Sequence, residues 1–370
     1  MNKLLYLAVF LAIRVMRALY LPFRLLPVRN KITMISRQSD TPSIDMKLLQ
    51  KAIQDRRPDY QVVILAKQLH NPVIYLIQIF RQMYHIATSR AVILDSYCIP
   101  ISVLHHRKGL IVIQMWHSIG SMKKFGYAML GKEEGSDPKL ASLMCMHRNY
   151  TYVLISSFSY LKDYIEGFRI SEDKVLQIPL PRADLLTDKA YLTARRKEII
   201  KKAPWFEKKK NILYCPTFRK TPSPEDEKKI QELIHAIDFK HYNLIYKPHS
   251  VSTLKIKDMR VITTEMDNID ALSIADYMIT DYSSIMYEAG LAGVPVYMYT
   301  YDWDQYKTKR AFNLDLERDV PALFTADAEE IFRAIQEDRF DRKAFEAFTM
   351  KNCVIPEPSC IEQILRLMDL

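Results

Sequence analysis

Residues 275–299 constrain the fold more than any other stretch of this chain. Tyr277, Met278 and Ile279 form a short apolar run suited to a parallel strand covered on both faces. The polar residues 280–284 end that run, and Ser283 or Ser284 is expected to cap the helix that follows. The helix should run to the Gly-Leu-Ala-Gly segment at 290–293, and the apolar residues 294–299 then supply a second strand. The unit is βαβ, which requires a parallel neighbour and a covered sheet. A helix start with free N–H groups beside several hydroxyls suits phosphate. The plainer reading is a capped helix inside an α/β domain.

The same alternation recurs along the chain. Strands are expected at 32–36, 61–65, 91–95, 110–115, 151–157 and 174–179, with helices at 45–56 and 71–85. A second series places strands at 211–215 and 242–249, with the apolar residues 260–263 ahead of the opening unit, and helices at 194–202 and 226–237. Strands alternating with helices predict parallel sheets, whose ligand sites lie at the strands' carboxyl ends. The proline-rich turn at 179–184 marks a boundary, giving domains at 31–188 and 189–370. A length of 370 residues suits two domains.

Chemistry collects at these strand ends. The apolar residues 110–115 run straight into Trp116 and His117, followed by Lys123 and Lys124. Histidine is the side chain most easily poised as a base near neutral pH, although a lone histidine after a strand is often structural. In the second series one strand ends at Thr217 and Arg219, the next at Lys247 and His249, the third at Thr280, Asp281, Ser283 and Ser284. A guanidinium, an ammonium, an imidazole and a helix N-terminus at one sheet edge suit a diphosphate. Glu288, one turn into the helix, is placed to accept hydrogen bonds from a ribose.

The net charge of +10 implies an acidic partner: anionic lipid, a polyphosphate-like substrate or nucleic acid. No nucleic-acid recognition module is evident. Five cysteines without a C-x-x-C pair suggest neither a disulfide framework nor a zinc site. Eight glycines and no G-x-G-x-x-G or Walker motif argue against a glycine-rich phosphate loop. No carboxylate cluster demands a metal, and none is expected.

Residues 1–27 are apolar except for Asn2, Lys3, Arg14, Arg17 and Arg24. At 100° per residue the four cations fall within an arc of about 80°. That describes a basic amphipathic helix lying in a membrane interface. Three arginines make a spanning helix costly, although a signal anchor, a cleaved signal peptide and an ordinary domain helix remain alternatives.

Taken in order, the motifs Gln-x-Trp-His, Lys-Lys-x-Gly, Pro-Thr-x-Arg, Tyr-Lys-x-His and Thr-Asp-Tyr-Ser-Ser resemble the CDP-glycerol glycerophosphotransferases, the teichoic acid primases and polymerases of Gram-positive envelopes. Arg182 and Asp184 in Pro-Arg-x-Asp, and Asp302 with Tyr306, also match. The resemblance covers about residues 31–325. It implies a GT-B-like architecture, two Rossmann-like domains facing a central cleft, with peripheral attachment to the cytoplasmic face of the membrane. It further implies transfer of glycerol phosphate or a related polyol phosphate from CDP-glycerol to a hydroxyl of an acceptor, releasing CMP. The acceptor would be an undecaprenyl-diphosphate-linked saccharide or a polyol phosphate. His117 matches the general base and His249 the histidine holding the donor diphosphate. Arg219, Lys247, Ser283 and Ser284 match phosphate contacts, while Trp116, Lys123, Lys124, Arg182, Asp184, Thr217, Thr280, Asp281, Glu288 and Asp302 fall in or beside the matching motifs. Ser118 stands where the family usually has glycine, which would crowd the acceptor side. The length suits a primase or single-module enzyme. A GT-B glycosyltransferase using a nucleotide sugar is the alternative.

Overall fold

The computed structural model describes residues 3–68, 72–132, 135–219, 223–249, 252 and 254–370. Asn2 and the expected helix start at Asn71 lie outside the described residues. The described residues divide into two compact units. The first comprises Met1–Ser118, Lys124–Pro181 and Val354–Leu370; the second comprises Ile119–Lys123 and Arg182–Cys353. This differs from the sequence expectation at three places. The boundary falls at Pro181 rather than 188, a short segment before Lys124 joins the second unit, and the last seventeen residues return to the first. Val354 donates its N–H to the Ser156 carbonyl, and Arg56 grips Glu362 bidentately, so that tail belongs to the first core's surface. A tail that adds no strand leaves no periodic signal of its membership.

Six parallel strands form the first sheet: β1 (Lys31–Ser36), β2 (Gln61–Ala66), β3 (Ala91–Leu94), β4 (Ile111–Gln114), β5 (Tyr152–Ile155) and β6 (Val175–Gln177). Their order is β2-β1-β3-β4-β5-β6, so winding reverses between β1 and β3. The second sheet holds β7 (Lys210–Cys215), β8 (Tyr242–Tyr246), β9 (Val261–Thr263), β10 (Tyr277–Thr280), β11 (Val296–Tyr299) and β12 (Phe324–Thr325). Its order, β12-β11-β10-β7-β8-β9, reverses between β7 and β10. Counted within its own unit this is the 3-2-1-4-5-6 order of the dinucleotide-binding fold. Central strands such as β3 are buried along their whole length, which is why they read as unbroken apolar runs rather than alternating ones.

The expected helix after β10 spans Ile285–Ala292 and ends at Gly293, whose φ of 73° is the left-handed C-cap. Its start departs from expectation. Ser284 occupies the N-cap with helical dihedrals and makes no side-chain capping bond. Ser283 Oγ instead lies 3.4 Å from the Ile285 N–H.

The helix Lys3–Arg24 is the one described helix long and apolar enough to cross a membrane. It lies along the first unit. Tyr6 donates to Asp137, Arg17 Nε to the Val103 carbonyl at 2.8 Å, and Arg107 to the Arg24 and Leu26 carbonyls. Ile13 and Tyr20 are buried, while Leu4, Leu7, Leu11, Val15 and Leu19 face outward.

Candidate active site

In the first unit, Leu94 pairs with Ile35 and with Gln114. That register brings out together the chain after β1, after β3 and after β4. His117 comes from the last of these, Gln38 from the first. His117 Nδ1 lies 3.1 Å from the Asp95 carbonyl, which can only accept, so Nδ1 carries the proton and the lone pair sits on Nε2. Gln38 Nε2 is 3.2 Å from the same Nδ1; with its amide turned, the Gln38 oxygen shares that N–H. An imidazole held in this tautomer offers Nε2 as a proton acceptor.

Trp116 orients the imidazole. Its φ of 60° is left-handed, a strained setting for a bulky residue and one that tends to mark functional positions. Its ring packs 4.4 Å from His117, 4.9 Å from Phe125 and 5.2 Å from Phe168. The glutamine of the Gln-x-Trp-His motif works from below. Gln114 is fully buried; its oxygen accepts the Trp116 N–H, and its amide donates to the Ser96 carbonyl and the Tyr150 hydroxyl. The glycine of Lys-Lys-x-Gly is equally constrained: at Gly126 φ is +55°, and a Cβ would stand 2.1 Å from the Gly167 carbonyl oxygen. Lys124 lies 3.8 Å from Glu166, an exposed pairing. Ser118 closes the first unit's opening segment.

In the second unit Cys215 pairs with Thr280, so Pro216–Thr217 and Asp281 emerge side by side at the point where winding reverses. Asp281 ties them. One of its oxygens accepts the Thr217 and Tyr282 N–H groups, and the other accepts from Arg219 at 2.9 Å. Arg219 also forks onto both oxygens of Asp302 and approaches Asp226 at 3.1 Å. Burial works against its charge, yet Asp281, Asp302 and the Tyr301 hydroxyl together hold its pKa above the ordinary arginine value. Thr280 is buried with its hydroxyl spent on the Cys215 carbonyl. Glu288 is buried too: Arg182 takes one oxygen at 3.0 Å and the Asn268 amide the other at 2.9 Å. Asp184 sits in the helix Arg182–Thr187. Lys123 donates to the Tyr306 hydroxyl at 2.8 Å, and the Tyr306 ring stacks 4.2 Å from Tyr282.

Other groups lie along the same strand ends. Lys247 follows β8 and forms no ion pair among the described residues. The buried Thr217 Oγ1 has no hydrogen-bond partner. His249 has its pKa lowered by burial against neighbouring protein, then by the cations of Lys247 and Lys123, although the residue still reaches solvent. Its ring lies 5.6 Å from Phe218. Ser283 and Ser284 are half-buried at the helix start.

The sequence-expected residues therefore divide into two kinds. Lys247, His249, Thr217, Ser283 and Ser284 surround one sheet edge of the second unit. Arg219, Asp281, Asp302, Thr280, Arg182 and Glu288 hold one another and shape that edge. Sequence reasoning missed Gln38, the Asp95 carbonyl, Asn268 and Tyr282. Gln38 carried a signal, since it follows a strand's carboxyl end; the carbonyl and the amide carried none.

Each unit, taken alone, is a doubly wound α/β domain of nucleotide-binding type with its polar chemistry at strand carboxyl ends. The chain belongs to the CDP-glycerol:poly(glycerophosphate) glycerophosphotransferase family, whose model matches residues 18–368. It is 30% identical over 342 residues to a teichoic acid ribitol-phosphate primase of Bacillus spizizenii, covering 88% of this chain and 87% of that protein. A teichoic acid glycerol-phosphate primase of Bacillus subtilis is 29% identical, over 75% of this chain and 74% of the other. The wall teichoic acid polymerase TagF shares the fold, with a TM-score of 0.78 at 18% identity over all of this chain and 98% of that one.

Proposed function

We propose that this protein transfers a polyol phosphate from a CDP-alcohol to a hydroxyl of a lipid-linked acceptor in teichoic acid synthesis, releasing CMP. The observation that carries this reading is the family match together with His117, whose tautomer the Asp95 carbonyl fixes at a strand's carboxyl end. The acceptor oxygen attacks the donor's distal phosphorus as its proton passes to His117 Nε2. A new P–O bond forms, the bond to the proximal phosphate breaks, and CMP leaves with the electron pair. Charge grows on the phosphoryl oxygens, which fixed positive groups and N–H dipoles stabilise. Lys247, His249, Thr217 Oγ1 and the helix start at Ser283–Ser284 are the groups set for it. Glycerol and ribitol are both candidate polyols, because the relatives include primases of each kind.

The helix Lys3–Arg24 anchors the protein peripherally on the cytoplasmic membrane face. Contacts at Tyr6, Arg17, Tyr20 and the Arg24 carbonyl run along its length, which suits a helix lying on the unit rather than leaving it to span.

The test is a donor panel. CDP-glycerol and CDP-ribitol are supplied with a lipid-linked acceptor, CMP is quantified, and the product mass is read. A product heavier by one polyol phosphate, in step with CMP, is expected. Transfer from UDP-sugars with neither CDP-alcohol used would favour the glycosyltransferase alternative and refute this reading.

A further inference from the structure

The segment Ile119–Lys123 lies in the second unit, although the chain on either side of it belongs to the first. Apart from a single bridge at Lys123 it has no regular structure, so its backbone groups need partners from elsewhere. Ile119, Ser121 and Met122 are buried. At Gly120 φ is +71°, and a Cβ there would stand 2.4 Å from the ring of Tyr287, on the helix that follows Ser284. The segment is thus seated against the helix whose start is set for phosphate.

Asn313 meets that need. Its backbone N–H donates to the Met122 carbonyl at 2.9 Å. Its Nδ2 donates to the Ser121 carbonyl at 3.0 Å, to Ser121 Oγ at 2.9 Å and to the Lys123 carbonyl at 3.4 Å. Carbonyls only accept, which fixes which way the amide faces. Phe312, its neighbour, forms the antiparallel bridge with Lys123. The Lys123 backbone is therefore held by two adjacent residues, and its ammonium is held as well, donating to the Tyr306 hydroxyl at 2.8 Å. Tyr306 stacks on Tyr282, whose N–H goes to the same Asp281 oxygen that accepts from Thr217. The Lys123 charge is felt at His249 beside that of Lys247. A lysine on a free four-carbon stem would lose that placement among many rotamers.

Resting on the transferase reading above, we infer that Asn313 is a positioning residue for the transfer: it holds residues 121–123 so that the Lys123 ammonium joins Lys247 and His249 against the charge that grows on the donor's phosphates. Asn313 touches no substrate and acts through Lys123. A cation already in place when the P–O bond breaks needs no reorganisation at that moment, which is where its stabilisation counts most. The 190 positions between Asn313 and Lys123 leave no trace of the pairing in the sequence.

The experiment is a double-mutant cycle on the full chain, reading CMP release from the CDP-alcohol found active, with each variant assayed well below its own thermal midpoint. Lys123→Met should lower kcat about 10²-fold, the loss typical of one removed oxyanion contact. Asn313→Ala should lower kcat about tenfold and leave KM for the donor within about threefold, as when a group acting in the transition state is misplaced. In the Lys123→Met background Asn313→Ala should cost about twofold or less, because the group it positions is gone. His249, followed by its ring proton resonances, should titrate at a higher pH in either single variant than in the wild type, since burial and Lys247 remain while the Lys123 cation has left. Asn313→Ser takes the place of the alanine variant in the same cycle if that variant does not fold. A tenfold cost of Asn313→Ala in both backgrounds, or an unmoved His249 titration, overturns the inference while the transferase reading stands. No CMP release by the wild type from any CDP-alcohol refutes the transferase reading and the positioning role with it.

Discussion

Two cations of the second unit separate the residues that hold the site from those that meet substrate. Arg219 sits among Asp226, Asp281 and Asp302. Removing one partner of a buried ion pair strands the other charges, at a cost of about 3–5 kcal/mol. Arg219→Met should lower the second unit's stability to urea by about that amount, and Arg219→Lys should restore only a part, since one ammonium cannot fork onto three carboxylates. Among the described residues Lys247 has no acidic partner to strand. Lys247→Met should change stability by less than about 0.5 kcal/mol while weakening protection by CMP. Equal destabilisation by the two methionine variants would show that the division is wrong. His117→Ala should lower CMP release by about 10²–10⁴ with the fold intact, the range a positioned base supplies; near-wild-type turnover would remove it from the mechanism. At this scale the sequence shows which residue types end each strand. It does not show that Arg219 is answered by aspartates 62 and 83 positions away, because nothing local marks such partners.

Strands were the most legible elements. β1, β3, β7 and β10 fall within a residue or two of the apolar runs that announce them, since a strand buried on both faces must be apolar throughout. Helix starts were less so. A serine before a helix usually caps it, yet Ser284 does not, and the loop carrying Asp281 binds its own N–H groups instead. The N-terminal helix was legible as amphipathic, and its contacts with Asp137, Val103 and Arg107 explain why one face stays apolar and outward. Leu7, Leu11 and Val15 are each more than half exposed and support no core. Burying such a side chain is worth about 1.5–3 kcal/mol. Replacing all three by aspartate should leave the thermal midpoint within about 2 °C and reduce sedimentation with anionic liposomes at least about 100-fold. Sedimentation at the wild-type level would mean that this face meets no membrane.

Stability of the first unit should fall in mild acid, and the cause is one buried ring in the floor beneath Trp116. His147 is 6% exposed, accepts or donates at the Tyr150 hydroxyl at 2.9 Å, and packs edge-on 4.8 Å from Phe168. Burial pushes its pKa down to about 4, and His106 is pushed to about 4 by burial as well. The folded pKa lies below the unfolded value of about 6.5, so the unfolded chain takes up the proton first as pH drops. The resulting loss begins near pH 6.5, grows as pH falls, and levels off below about pH 4. Between pH 7 and pH 5 it amounts to about 2 kcal/mol for His147 alone. His147 has a φ of 60°, a conformation asparagine tolerates well. His147→Asn should therefore cost packing at pH 7 but flatten the slope toward pH 5, with the opening free energy of residues 91–114 followed by native-state hydrogen exchange. A variant that loses protection as steeply as the wild type would place the acid sensitivity elsewhere. The same floor carries Trp116 and hence His117, so turnover in the wild type should fade along with exchange protection as the pH is lowered, and the variant should keep a larger fraction of its own neutral-pH rate.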